Sequence, residues 1–123
     1  MTQVGIRHYN PDIDSGYVYS TWIQYSFYSP KEPVKVSKDQ FFKDKARAIK
    51  DLLEKASVRI ACLREDPYII LGYIVYFNHR VEWICIKKDF RSEEIERLLL
   101  NSVKEDYDRR EEDRTPSHSQ EDP

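Results

Sequence analysis

Two cysteines, three histidines and a short run of glutamates are the side chains of this 123-residue chain that most invite a chemical reading. Cys62 and Cys85 each sit inside a strand-like stretch. Two isolated cysteines make neither a disulfide framework nor a zinc site, so they read as buried thiols. His8, His79 and His118 are scattered and share no spacing that a metal ion needs, so no metal is expected. No Ser–His–Asp or Cys–His constellation can be argued from spacing. A different kind of chemistry is suggested by the aromatic residues Tyr17, Tyr19, Trp22, Tyr25, Phe27 and Tyr28. They occupy more than one face of a helix, which exceeds what a single buried stripe requires. One reading is core packing with ordinary amphipathic tyrosines. The other is an exposed patch for a protein partner or a second protomer, with Tyr17, Trp22, Tyr25 and Tyr28 as the contacts, since Tyr and Trp are favoured at interface cores.

The elements that would position these residues follow from periodicity. Val4-Gly5-Ile6-Arg7-His8-Tyr9 alternates as a first strand. Asn10-Pro11-Asp12 is a turn that can open a helix, and Ile13, Tyr17, Val18, Trp22 and Tyr25 give an apolar stripe to about Tyr28. The prolines at 30 and 33 end it. Ser37-Lys38-Asp39-Gln40 is a capping box for a second helix over 38–55, with Phe42, Ala46, Ile49 and Leu53 inward. Strands are expected at 58–63, at 68–77 and at 81–86, with Glu65-Asp66-Pro67 and Asn78-His79-Arg80 as the turns. The middle strand is β-branched and aromatic throughout, so it should be covered on both faces. A last helix is expected over 92–106 on Ile95, Leu98, Leu99 and Val103. The fold class is therefore α/β (α+β), in the order β-α-α-β-β-β-α. Residues 1–106 form the domain, and 107–123 read as an acidic, disordered tail.

The stretch Ile86-Lys87-Lys88-Asp89-Phe90-Arg91-Ser92-Glu93-Glu94-Ile95-Glu96-Arg97-Leu98-Leu99 resembles the acyl-CoA signature of the GNAT superfamily of N-acetyltransferases. In that family a strand ends in an apolar residue and runs into a [Q/R]-x-x-G-x-[G/A] loop and an apolar helix. Here Asp89-Phe90-Arg91 sits like the usual D-Y-R, Ile95 matches the isoleucine between the two glycines, and Leu98-Leu99 match the leucines that follow. The element order is similar too, and the resemblance covers about residues 4 to 106. It implies a mixed, mostly antiparallel sheet, shortened at the C-terminal side, because family members continue with a further strand, helix and strand pair. It implies acetyl-CoA as the cofactor. The amides near Cys85 and Ile86 would meet the thioester and pantetheine, and Arg91, Ser92, Glu93, Glu94, Ile95 and Glu96 would form the pyrophosphate loop. Glu82 would accept a proton from the attacking amine, and Tyr107 would be the acid for the departing thiolate.

The departures from the family pattern point the other way. A pyrophosphate loop relies on amides at a helix N-terminus, with glycines that let the backbone approach. Glu94 and Glu96 stand where the two signature glycines belong, Ser92 stands where glycine is common, and Glu93 adds a third carboxylate. A charge within ~4–6 Å of an anion disfavours it. The same residues suit an ordinary helix start, with Ser92 as N-cap and the glutamates facing the dipole. Lys87, Lys88, Arg91 and Arg97 offset part of the charge. Two functions are thus in play. The first is a GNAT-like domain that has lost catalysis and serves as a protein-binding or regulatory module. The alternative is an N-acyltransferase with an eroded loop, working as a dimer. A third reading is an unrelated small α/β protein, of the kind a phage carries as an accessory.

Composition narrows the classes. The length is that of one domain, and 40% hydrophobic residues suffice for one modest core. The longest apolar run, Tyr68 to Phe77, is interrupted by Gly72 and is about half of what a bilayer needs, so no membrane span is expected. The Met1-Thr2-Gln3-Val4 start has neither basic flank nor apolar stretch, which favours a cytoplasmic location. From Lys104 onward there are eight acidic and four basic residues, against 14 acidic and 16 basic before it. That is no basic footprint for nucleic acid.

Overall fold

A computed structural model describes residues 3–28, 35–88 and 93–121, with side chains as far as Glu111. The element order is β1 (Val4–His8), α1 (Pro11–Tyr28), α2 (Lys38–Leu53), β2 (Ser57–Leu63), β3 (Ile70–Phe77), β4 (Arg80–Ile86) and α3 (Glu93–Glu121). The four strands form one sheet in the order β1-β2-β3-β4, and every neighbouring pair is antiparallel. The protein is thus α+β with the element order that periodicity predicts.

The sheet separates two cores. On one face Val18, Trp22 and Ile23 of α1 and Ile49 of α2 pack on Val58, Ile60, Cys62, Tyr73, Val75 and Cys85. On the other face Ile95, Leu99 and Val103 of α3 pack on Ala61, Leu71, Ile74 and Tyr76. Strand β3 contributes to both, which explains its unbroken apolar character. Two bulges break strict alternation. Opposite Ala61 and Cys62, the β3 partners are Gly72 and Ile70, so Leu71 is the extra residue. Opposite Val75 and Tyr76, the β4 partners are Trp83 and Val81, so Glu82 is the extra one. Gly72 has a separate reason to be glycine. A Cβ there would lie 2.7 Å from the Cys85 carbonyl oxygen and 3.1 Å from Ile86 Cα, so β4 passes too close for any side chain.

Local chemistry sets the helix starts. The Asn10 side chain accepts from the Asp12 amide at 3.0 Å, and Pro11 takes the first helical position, where no N–H is needed. Ser37 caps α2 by accepting from the Gln40 amide at 3.1 Å. The reciprocal half of the capping box is not made, because the Gln40 side chain turns to Asp44 instead, at 2.8 Å.

Two expected boundaries and one expected face are corrected. Strand β3 starts at Ile70, since Asp66 ties the turn beyond Pro67 by accepting from the Tyr68 amide at 3.2 Å with its side chain and from the Ile69 amide at 3.0 Å with its carbonyl. The buried stripe of α1 is Asp14, Val18, Trp22 and Ile23, leaving Ile13 exposed. Helix α3 runs past the expected end at Asp106 and through residues read as a disordered tail. Arg109 and Arg110 lie one turn beyond Asp106 and both bond its carboxylate, which carries the helix onward.

Candidate functional site

Three places hold the chemistry of this domain: the β4–α3 region of the acyl-CoA resemblance, the aromatic face of α1, and a cluster of arginines around Asp106.

In the first, Arg91 and Ser92 lie outside the described residues, together with Asp89 and Phe90. Ile95 is buried against the sheet. Glu93, Glu94 and Glu96 stand exposed in the first turn of α3. The described part of this helix start thus presents three carboxylates. Cys85 is buried on the α1 side of the sheet, and Ile86 packs on the α3 side. Cys62 and Cys85 form no disulfide. Glu82 is the bulged residue of β4, and its Oε1 accepts from Arg80 Nη2 at 2.6 Å and Nε at 3.1 Å. Tyr107 stands edge-on to His79, with ring centroids 4.8 Å apart. His79 is in the β3–β4 turn, six residues before Cys85, so Tyr107 lies roughly 20 Å along the strand from the positions expected to meet a thioester. Glu82 and Tyr107 are therefore near the hairpin end, and the glutamates of α3 are near the other.

In the second place, α1 turns its aromatics mostly inward. Trp22 is 5% exposed and stacks on Trp83, with centroids 5.3 Å apart and planes at 5°. Tyr17 meets Tyr73 edge-on at 6.0 Å, and burial pushes its hydroxyl up to about 12. Tyr73 is fully buried, and its hydroxyl donates to the Val18 carbonyl at 3.1 Å. It also accepts from Trp83 Nε1 at 3.1 Å and pairs with Thr21 Oγ1 at 2.8 Å. Tyr25 and Tyr28 are exposed, Tyr28 at 63%. Lys38 Nζ donates to the Tyr28 hydroxyl at 2.7 Å. At the other end of α1, Ile13 is exposed beside Pro67 and Tyr68, and Tyr68 is 75% exposed.

The third place was not legible in the sequence. Asp106 is buried, yet it gathers three guanidinium groups. Arg109 Nη2 donates to Oδ1 at 2.9 Å, Arg110 Nη2 lies 3.2 Å from Oδ2, and Arg59 Nη2 lies 3.7 Å from Oδ1. Tyr76 donates its hydroxyl to Oδ2 at 3.1 Å. Burial alone would raise the Asp106 carboxyl, but the Arg109 and Tyr76 hydrogen bonds and the two further arginines outweigh it and hold it below its ordinary value. Burial also pushes Tyr76 up to about 12. A second buried ion pair joins β1 to the start of α1. Arg7 donates to both oxygens of Asp14 at 2.7 and 2.8 Å, and the Asn10 amide donates to Oδ2 at 2.8 Å. Asp14 is likewise held below its ordinary value, with the Arg7 and Asn10 hydrogen bonds overriding burial. The only sequence signal for either carboxylate was a charge at a spacing that continues an apolar stripe: Asp14 four before Val18, and Asp106 three after Val103.

No protein-family model matches this chain, and none of the curated proteins does. Among the described residues no helix is long and apolar enough to cross a membrane. No three His, Cys, Asp or Glu side chains gather there as a metal ion would require.

Proposed function

We propose that this is a GNAT-like domain that has lost catalysis and works as a protein-binding or regulatory module. The observation that carries the reading is the start of α3, where Glu93, Glu94 and Glu96 stand exposed around the buried Ile95. A helix N-terminus built to hold a diphosphate keeps its amides bare, whereas these carboxylates already answer the helix dipole. Two further observations support it. The Glu82 carboxylate is occupied by Arg80, and Tyr107 faces His79 at the far end of β4. The exposed apolar residues supply the binding surface: Tyr25 and Tyr28 at one end of α1, and Ile13 and Tyr68 at the other. Tyrosines offer large contact area at low entropic cost. A cytoplasmic setting suits this reading, given two buried thiols that form no disulfide.

The test is a calorimetric titration of the protein with acetyl-CoA. The module reading expects no heat at about millimolar ligand. Micromolar binding would restore the acyltransferase alternative, and the search would then move to acceptor amines.

A further inference from the structure

The open sheet has two edge strands, β1 and β4. An edge strand presents unpaired backbone groups, and proteins blunt it with bulges, charge or proline. Strand β4 is blunted, with a bulge at Glu82 and the Arg80–Glu82 ion pair at its start. Strand β1 is not. It pairs with β2 over Val4–His8 without a register shift, and it holds no proline or lysine. Its one permanent charge, Arg7, is turned onto Asp14 through two hydrogen bonds.

The register says which backbone groups are open. The Arg64 amide donates to the Gln3 carbonyl at 3.0 Å, and Gln3 stands opposite Arg64 when the Val4–Leu63 pairing is continued by one residue. In an antiparallel pair alternate residues bond the neighbour, so Gln3, Gly5 and Arg7 bond β2. Val4, Ile6 and His8 therefore point their N–H and C=O groups away from the sheet. Among the described residues only Arg7 Nη1 meets any of these groups, at the His8 carbonyl 3.0 Å away, and that oxygen keeps a second lone pair. Beside them runs a groove of about 530 Å³. Val4 and Ile6 line it from the α3 face of the sheet and Arg7 from the α1 face, so it follows the open edge itself.

We propose that β1 pairs antiparallel with β1 of a second copy of this chain, joining two four-stranded sheets across a twofold axis at Ile6. The strand's own sequence selects this occupant. Outward residues must meet outward residues, and Ile6 is the middle one of the five, so this register pairs the whole strand. Ile6 faces the partner's Ile6, Val4 faces the partner's His8, and each such pair exchanges two backbone hydrogen bonds. Arg7 faces the partner's Gly5, which has no side chain, so no like charges stand opposite each other. Arg64 lies over Gly5 with its side chain exposed, so it is able to swing clear of the partner's Arg7. This surface is distinct from the exposed tyrosines of the partner-binding reading, and the inference stands without that reading.

The test is sedimentation velocity of the full chain from about 5 to about 500 µM, with amide hydrogen exchange at both ends of that range. The mass should climb from 14.8 kDa toward twice that value. The Val4 and Ile6 amides should exchange about tenfold more slowly at the high concentration, while those of Gly5 and Arg7, already bonded to β2, change less. Ile6→Ala trims the side chain and keeps the outward N–H, whereas Ile6→Pro removes both. Where thermal melting reports a folded protein, Ile6→Pro should dimerise about tenfold more weakly than Ile6→Ala. Tyr28→Ser should dimerise as the wild type does. The proposal is overturned if the wild type stays monomeric throughout, or if its Val4 and Ile6 amides exchange at one rate at both concentrations. It is equally overturned if folded Ile6→Pro pairs as well as Ile6→Ala, or if Tyr28→Ser abolishes the dimer.

Discussion

Two ion pairs in this protein look alike on paper and differ in what they do. Arg7 and Asp14 meet through two hydrogen bonds, with Asp14 buried and Arg7 largely covered. Arg80 and Glu82 meet at 2.6 Å, but Arg80 is mostly in solvent. Removing one member of a buried pair strands the other, whereas an exposed pair is screened. Asp14→Asn should therefore lower stability by about 3 kcal/mol, near the lower end for a buried pair, as read from the denaturant midpoint at pH 7. Glu82→Gln should change it by about 0.5 kcal/mol or less. Equal losses from the two variants would mean that burial does not separate the pairs.

At the scale of elements, β3 and β4 are the most constrained pair. Gly72 lets β4 approach to a distance at which a methyl group would overlap the Cys85 carbonyl. Overpacking against backbone is relieved only by moving the strand, so Gly72→Ala should cost about 1–3 kcal/mol. A melting temperature equal to the wild type's would show that β4 yields freely. The Trp22–Trp83 stack ties α1 to β4 in the same region. Trp22→Ala should cost about 3–5 kcal/mol, measured by chemical unfolding, because a large cavity opens between helix and sheet. A loss below about 1 kcal/mol would place Trp22 at a site that collapses or is less packed than its burial implies.

The whole molecule links these sites to pH. Asp14 and Asp106 titrate lower when folded than unfolded, so the unfolded chain binds more protons in acid. Their contribution is complete above the unfolded value of about 3.9 and disappears as pH falls through the lower folded values. Stability should hold from neutrality down to about pH 5 and then drop steeply below about pH 4. Tyr17 and Tyr76 act at the other limb. Both are raised to about 12 by burial, so their contribution is complete below about pH 10 and is lost as pH climbs toward 12. A stability profile by urea unfolding across this range checks both limbs. A flat acid limb would refute the role given to the two buried aspartates.

Hydrophobic period alone determined the element order and most of the inward faces. Phe42, Ala46, Ile49 and Leu53 all turn into the core that α1 and α2 share with the sheet, and Ile95, Leu99 and Val103 into the core on the other face. That information is local, carried by residues three and four apart or by a strand's unbroken apolar run. Ser37 as a cap and the Asn78 turn, with its φ of 57°, were legible for the same reason. The aromatic face of α1 was not, because a helix wheel cannot say whether a neighbour arrives to cover it; Trp83 does so for Trp22, while Tyr28 remains outside. Neither were Asp14 and Asp106. A carboxylate on an apolar stripe reads as a solvated end until tertiary structure supplies Arg7 from β1 to Asp14, and supplies Tyr76 and Arg59 from the sheet to Asp106 beside its own helical neighbours Arg109 and Arg110. The placement of the helices is decided at the same level. Two helices lie on one face of the sheet and one lies on the other, a division that no spacing within the chain contains.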